Sequence, residues 1–431
     1  MERLEHINKG IAYMSAQNYA DAVEEFQAAI QLNPEEAEPY LHLGNAYVNL
    51  EQYDQAVKTF KTALMLEPEN GKILFSLGGV CLLNGQVADA IRYYNRAEAA
   101  GYRTVELYTI CAGIFSNEQD YTMAIRFLAK AIQLQPLNAS LYSRKAMMEV
   151  AAGMPEQALE TAAELHSLIP DALDAYELSV KIYCMQKKYV QAAKMVEEGL
   201  RHFPEDTALH LMKLNVLMDV SQFDKAEEYA KKMLQMNLTA GEHKQTVLFL
   251  SAASAKLGKN EEAIAVLDNY VKSNKDPEMI YLLMNSQLMM KKYEEVKQLS
   301  EELLSCNPGD ELMASAKFYH ADAVKNLSGP DAAEKEYRSL VSELRKITLK
   351  HPQMQELYIF RLISHAELGE YEKAMELAEY LEKAYPEQVC GHLYKSFIYR
   401  KKGDLVMAEK EKEAVAAMQP AGEAVSRKQF V

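Results

Sequence analysis

The sequence predicts an all-α protein assembled from about twelve copies of one helix pair. Three observations predict it. Prolines recur on a 34-residue grid, at Pro34 and Pro68, then at Pro136, Pro170 and Pro204, and again at Pro386 and Pro420, with Pro308 as one more of the kind. A small residue stands twelve positions before the proline slot: Ala22, Ala56, Ala90, Ala124, Ala158, Ala192, Ala226, Ala263, Ala333, Ala374 and Ala408, with Val296 as the exception. The composition is rich in helix formers and holds only 18 Gly and 13 Pro in 431 residues.

Each element follows from these spacings. A proline after a run such as AAIQLNP at 28–34 stops the helix before it, because it lacks an N–H and restricts the preceding residue. Three residues ahead of the small slot an aromatic recurs, as Tyr19, Tyr53, Tyr121, Tyr189, Phe223, Tyr293 and Tyr371. A second small slot lies near the start of eight of the twelve units, including Gly10, Gly44, Gly78, Ala112, Ala146 and Ala321. Small residues at fixed helical slots let two backbones pack closely. In the second unit the first helix is expected over 39–49 and the second over 53–66.

The pattern resembles the tetratricopeptide repeat, and AEPYLHLGNAYVNLEQYDQAVKTFKTALMLEPEN at 37–70 is close to that family's consensus. Twelve units fall at 3–36, 37–70, 71–104, 105–138, 139–172, 173–206, 207–240, 244–276, 277–310, 314–347, 355–388 and 389–422. The resemblance implies a tetratricopeptide-repeat solenoid, a right-handed superhelix whose first helices line a concave groove. Neighbouring pairs bury each other's apolar faces, so the core is continuous along such an array.

The array is expected to divide into 3–240, 244–310 and 314–422, followed by a mobile tail at 423–431. Leu238 replaces the proline of the seventh unit, and Gly241, Glu242 and His243 are extra. In the tenth unit Leu327-Ser-Gly-Pro330 separates the helices, and 338–354 reads as an extended helix plus a linker of about seven residues. The charge run at 409–413 reads as a solvating cap on the last helix.

Composition excludes several function classes. The net charge of −15 argues against a nucleic-acid partner. No apolar run reaches the length of a membrane span, and the charged start MERLEHINKG has no secretory h-region. Five scattered cysteines and no CxxC suit a reducing cytoplasm and carry no disulfide framework or zinc ribbon. No HExxH, GxSxG, GxxxxGK[ST] or GxGxxG occurs, so no residue pattern supports catalysis, a metal or a cofactor.

By the resemblance, groove-facing residues are the second, fifth, ninth, twelfth and thirteenth of each unit. These include Leu4, Ile7, Ile11 and Met14 in the first unit, Leu41, Asn45, Val48 and Asn49 in the second, and Lys72, Phe75 and Leu82 in the third. They make the first three units the most apolar part of the groove. Asn117, Asn215 and Asn285 fall on the same face. An asparagine both donates and accepts, which suits the backbone of an extended peptide, while apolar pockets select side chains. The expected function is therefore a non-catalytic scaffold that holds a peptide or partner helix in its groove. The apolar face of the first unit is alternatively a self-association surface. The rival readings are a structural subunit of a larger assembly and a peptide-responsive regulator. Chaperone-binding members of the family use Lys at the fifth position of a unit. No unit here has one, which argues against heat-shock chaperone tails as ligands.

Overall fold

The computed structural model describes residues 2–418; the tail at 423–431 lies outside the described residues. Twenty-four helices and no strand occur among them. Close packing divides the chain into Met1–Val216 and Leu217–Val431. The first part holds α1 (Glu2–Ser15), α2 (Tyr19–Leu32), α3 (Ala37–Asn49), α4 (Tyr53–Leu66), α5 (Gly71–Leu83), α6 (Val87–Ala99), α7 (Val105–Asn117), α8 (Tyr121–Leu134), α9 (Ala139–Ala151), α10 (Pro155–Leu168), α11 (Leu173–Met185) and α12 (Tyr189–His202). The division falls inside α13 (Thr207–Asp219). The second part holds α14 (Phe223–Met233), α15 (Ala240–Lys256), α16 (Asn260–Asn274), α17 (Pro277–Met289), α18 (Tyr293–Ser305), α19 (Asp310–Ser328), α20 (Pro330–Lys350), α21 (Gln355–Glu367), α22 (Tyr371–Ala384), α23 (Cys390–Lys402) and α24 (Leu405–Met418).

Odd-numbered helices open each repeat and even-numbered helices close it. The turn between them is built the same way in eleven of twelve repeats: its fifteenth residue is left-handed, with φ of 57° to 86°. Glycine supplies it in five repeats, and Gln, Glu, Lys or Ser in the other six. The recurring aromatics at Tyr19, Tyr53, Tyr121, Tyr189, Phe223, Tyr293 and Tyr371 open the second helices. Where proline follows a second helix it sits just past the cap. Asn33, Glu67, Gln135, Ile169, Phe203 and Tyr385 precede their prolines with φ between −150° and −127°. These residues have left the helical region, which a following proline disfavours for its predecessor.

The core is organised by small residues. Each of the twelve slot residues ahead of the proline, Val296 included, is buried. In the first three repeats the other small slot, the eighth, faces the twenty-fourth residue. A Cβ added to Gly10 would lie 2.5 Å from Phe26, one on Gly44 2.4 Å from Phe60, and one on Gly78 2.7 Å from Tyr94. No real Cβ fits at such distances, so glycine is the residue that lets those rings in. Along the sequence the two slots compensate. Gly pairs with Phe, Phe and Tyr in repeats 1–3, and Ala112 with Leu128 in repeat 4. The four repeats with a larger eighth residue (Val180, Leu214, Met284, Leu362) carry Val196, Ala230, Ser300 and Ala378 opposite. All eight of these residues are buried.

Repeat 5 has alanine in both slots, Ala146 and Ala162, and adds a polar bridge beside them. Lys145 Nζ donates to Thr161 Oγ1 at 2.7 Å, Thr161 donates to Glu149 at 2.8 Å, and Lys145 pairs with Glu149 at 3.0 Å. Charges also tie successive second helices at a spacing of 32 residues: Glu98–Lys130, Glu156–Lys188 and Glu227–Lys259.

The irregular stretches are absorbed by helices. Gly241, Glu242 and His243 become the first turn of α15, which runs 17 residues behind a capping box formed by Thr239 and Glu242. Downstream, α20 runs 21 residues to Lys350, so the connection to α21 is 351–354 rather than about seven residues. Its length is held by ion pairs from Lys350 and His351 back to Asp310 at the start of α19. In the last repeat Lys412 occupies the large slot and instead faces solvent with Glu409, 3.1 Å away.

The compensation predicts a coupled pair. Gly44→Ala alone is expected to destabilise by about 1–3 kcal/mol through overpacking, net of its better helix propensity. In the presence of Phe60→Leu, which recreates the pair of repeat 4, the same change is expected to cost nothing. Denaturant midpoints followed by circular dichroism across the four-member cycle measure the coupling.

Candidate functional site

The first helices present an outer face that packing within the repeat leaves partly open. Consecutive first helices lie side by side, as α1 with α3, α3 with α5, α9 with α11, α17 with α19 and α19 with α21. The sequence-expected groove residues fall on this face unequally. Leu4 and Ile11 are exposed, 54% and 39%. Ile7 is not part of that surface: it is 3% exposed and shares the inward side of α1 with Gly10. Leu4, Ile7, Ile11 and Met14 therefore straddle two faces of α1, since Met14 also packs on the Phe26 cluster. Leu41, Val48, Phe75 and Leu82 are half-buried along the margin of the N-terminal core. Phe75 rests on Tyr102 and Tyr94, with ring centroids 5.2 and 5.7 Å away. Asn45 is half-buried, and Asn49 spends its amide donor on the Asn45 carbonyl at 2.9 Å. Lys72 is exposed at the start of α5, where Asn70 caps its backbone N–H. Asn215 is exposed and Asn285 half-buried, well apart from these in the chain.

Asn117 is the expected residue that lines a pocket. A cavity of about 340 Å³ lies between α7 and α9, bounded by Gly113, Ser116, Asn117, Ser143, Met147 and neighbouring side chains. Gly113 forms part of its wall, and a Cβ there would meet nothing within 4 Å. Glycine at this ninth position leaves room where a larger residue would fill the face. A glycine in that slot was the sequence signal for this pocket.

A second pocket, about 220 Å³, lies in the C-terminal part among α19, α21 and α23. Phe318, Ile359, Ile363 and Leu393 line it at the same first-helix positions, with Tyr319, Phe360 and Tyr394 beside them. The rings interlock: Phe318 stacks on Phe360 at 4.4 Å, and Tyr319 meets both edge-on. Burial pushes the hydroxyls of Tyr319 and Tyr394 well above the ordinary tyrosine range, so both stay neutral donors. The run of Phe, Ile and Leu at the fifth positions of the last three repeats was visible in the sequence; that it encloses a cavity depends on packing.

Further along these helices the charges cancel. Lys325 lies 3.3 Å from Asp322 and 3.1 Å from Glu367, and Lys401 lies 2.8 Å from Glu367. Burial alone would lower the Lys325 ammonium, but Asp322 and Glu367 carry it above its ordinary value. Three repeats are thereby joined through four side chains. The cysteines Cys81, Cys111 and Cys390 are buried, and burial raises each thiol, Cys111 to about 12. That chemistry is the opposite of an activated nucleophile. No described helix is long and apolar enough to cross a membrane.

Family models described as tetratricopeptide repeat and TPR repeat match residues 41–102 and 10–51. No curated protein matches the chain. Among solved structures, one of Naa15/Naa10 bound to HypK-THB aligns at 16% identity and a TM-score of 0.44, over 100% of this chain and 65% of that one. This chain thus spans 65% of that chain's length. The C-terminal part of a TPR repeat-containing protein from Cytophaga hutchinsonii aligns at 15% identity and a TM-score of 0.45, over 56% of this chain and 98% of that one. YrrB, described as a TPR protein with an unusual peptide-binding site, aligns at 20% identity and a TM-score of 0.36, over 43% and 96%.

Lys325→Met is expected to destabilise the chain by about 1–3 kcal/mol, because it strips the mostly buried Asp322 of its ion-pair partner and Glu367 of one of two. Thermal melts of the variant beside Lys401→Met, which leaves Lys325 in place, measure the difference.

Proposed function

We propose that the chain, built of tetratricopeptide repeats, is a non-catalytic scaffold that captures a peptide or partner helix on its first helices. One observation carries the reading. The slot residues between the helices are consumed by packing, whereas the first-helix face keeps a pocket in each part of the chain. Such pockets select side chains, and Asn117 in the wall of the N-terminal one suits a backbone. The reading includes the expected groove of the first three repeats, where Leu4 and Ile11 supply exposed apolar surface. The five cysteines are scattered with no CxxC among them, which suits a reducing compartment such as the cytoplasm.

Gly113→Trp tests the reading without touching the core. Its Cβ enters open space, and any residue other than proline outperforms glycine in a helix interior. The melting temperature is expected to hold or rise, while a partner captured by the wild-type chain from native lysate is lost. An unchanged set of captured proteins would move the function off this face and favour a permanent structural subunit.

A further inference from the structure

We infer that the pocket of α19, α21 and α23 receives a protein segment carrying a lysine or arginine next to a large apolar side chain. The inference rests on the scaffold reading and names the chemistry of the partner at one site. At about 220 Å³ the cavity is smaller than the roughly 300–1,000 Å³ of sites for drug-sized ligands, so it holds a side chain rather than a cofactor. Its floor is apolar, from buried Phe318, Phe360, Ile363 and Leu393.

The charge lies at the mouth. A smaller adjoining pocket of about 110 Å³ shares Gln355, Glu356 and Phe360 with the first and adds Glu311. Neither Glu311 nor Glu356 makes an ion pair among the described residues. Their neighbours do: Asp310 is held by Lys350 and His351, and Asp322 and Glu367 by Lys325 and Lys401. Acidic residues in the first turn of a helix favour its dipole, which accounts for a glutamate in each position. It does not account for both lining the smaller pocket, unpaired among the described residues and beside the Phe360 ring. A cation placed there gains both carboxylates and the faces of the rings.

The backbone of such a segment also finds partners. Gln355 Nε2 donates to Gln388 Oε1 at 2.9 Å and to Cys390 Sγ at 3.1 Å. That leaves the Gln355 carbonyl oxygen and the Gln388 amide nitrogen without partners among the described residues, one acceptor and one donor at the rim.

The test uses the full chain and two fluorescein-labelled nonapeptides read by fluorescence anisotropy. One reads Ala-Ala-Arg-Lys-Gly-Phe-Leu-Ala-Ala; the other has both basic residues replaced by glutamate. The basic probe is expected to bind at least about tenfold more tightly than the acidic one. Glu356→Lys, a surface change that spares the core, is expected to abolish that preference, and the likewise exposed Glu372→Lys on α22 to leave it intact. Equal binding of the two probes overturns the inference, as does a preference that survives Glu356→Lys. The chain's own Arg427-Lys428-Gln429-Phe430-Val431 carries the same chemistry. Binding seen only after Arg427→Glu, Lys428→Glu and Phe430→Ala would make that segment the occupant and overturn a separate partner. Self-association on sedimentation that Glu356→Lys removes would assign the pocket to a second copy and overturn it likewise. Failure of the basic probe while Gly113→Trp still abolishes capture would sink this inference and leave the scaffold reading standing.

Discussion

Two helices approach closely only where one of the side chains between them gives way. In this chain that requirement is met sixteen residues apart, between the eighth and twenty-fourth positions of a repeat. Gly10, Gly44 and Gly78 leave the space that Phe26, Phe60 and Tyr94 occupy, and the arrangement inverts where Leu362 faces Ala378. Interiors tolerate exchange of volume between neighbours far better than a change in its total. The pair therefore specifies how far apart the two helices sit without fixing which helix carries the bulk. Everything built on the pair, including the spacing of successive first helices, inherits that distance.

The same packing decides where function can reside. A second helix is wedged between neighbours, and its slot residues are buried, although Met65, Val190 and Leu349 still reach solvent. A first helix touches its own partner and its neighbours in the stack, and its remaining face is free. Whether that face is flat or hollow depends on single residues. Gly113 hollows it between α7 and α9, and three consecutive large fifth-position residues, Phe318, Ile359 and Leu393, wall a cavity among α19, α21 and α23. Close to that cavity, Lys325 and Lys401 neutralise Asp322 and Glu367, so negative charge stays available at Glu311 and Glu356.

Much of the fold was legible because its signals are covalent or local. A proline halts a helix whatever surrounds it, and the second helix of repeat 2 begins and ends at Tyr53 and Leu66, as its spacing implies. The four exceptions at the eighth slot were not legible, because each makes sense only beside a residue sixteen positions away. Nor was the true surface of α1. Ile7 lies three residues from both Leu4 and Gly10, and helical spacing alone gives no means of choosing which neighbour it faces. Phe75 reads as a groove residue by position, yet two tyrosine rings from its own repeat, Tyr94 and Tyr102, claim part of its surface. Cavities are the least legible of all, since they are what packing leaves over.

The most direct test of slot complementarity is a reciprocal exchange in repeat 11. Leu362→Ala alone is expected to cost about 2–5 kcal/mol and Ala378→Leu alone about 1–3 kcal/mol. If volume shared between the two slots sets the helix spacing, the double variant, with the bulk moved to the other helix, will recover most of the stability in urea denaturation. Losses that simply add in the double variant would contradict the account, because they would show that each slot is packed on its own and that the pair is not the unit on which the array is built.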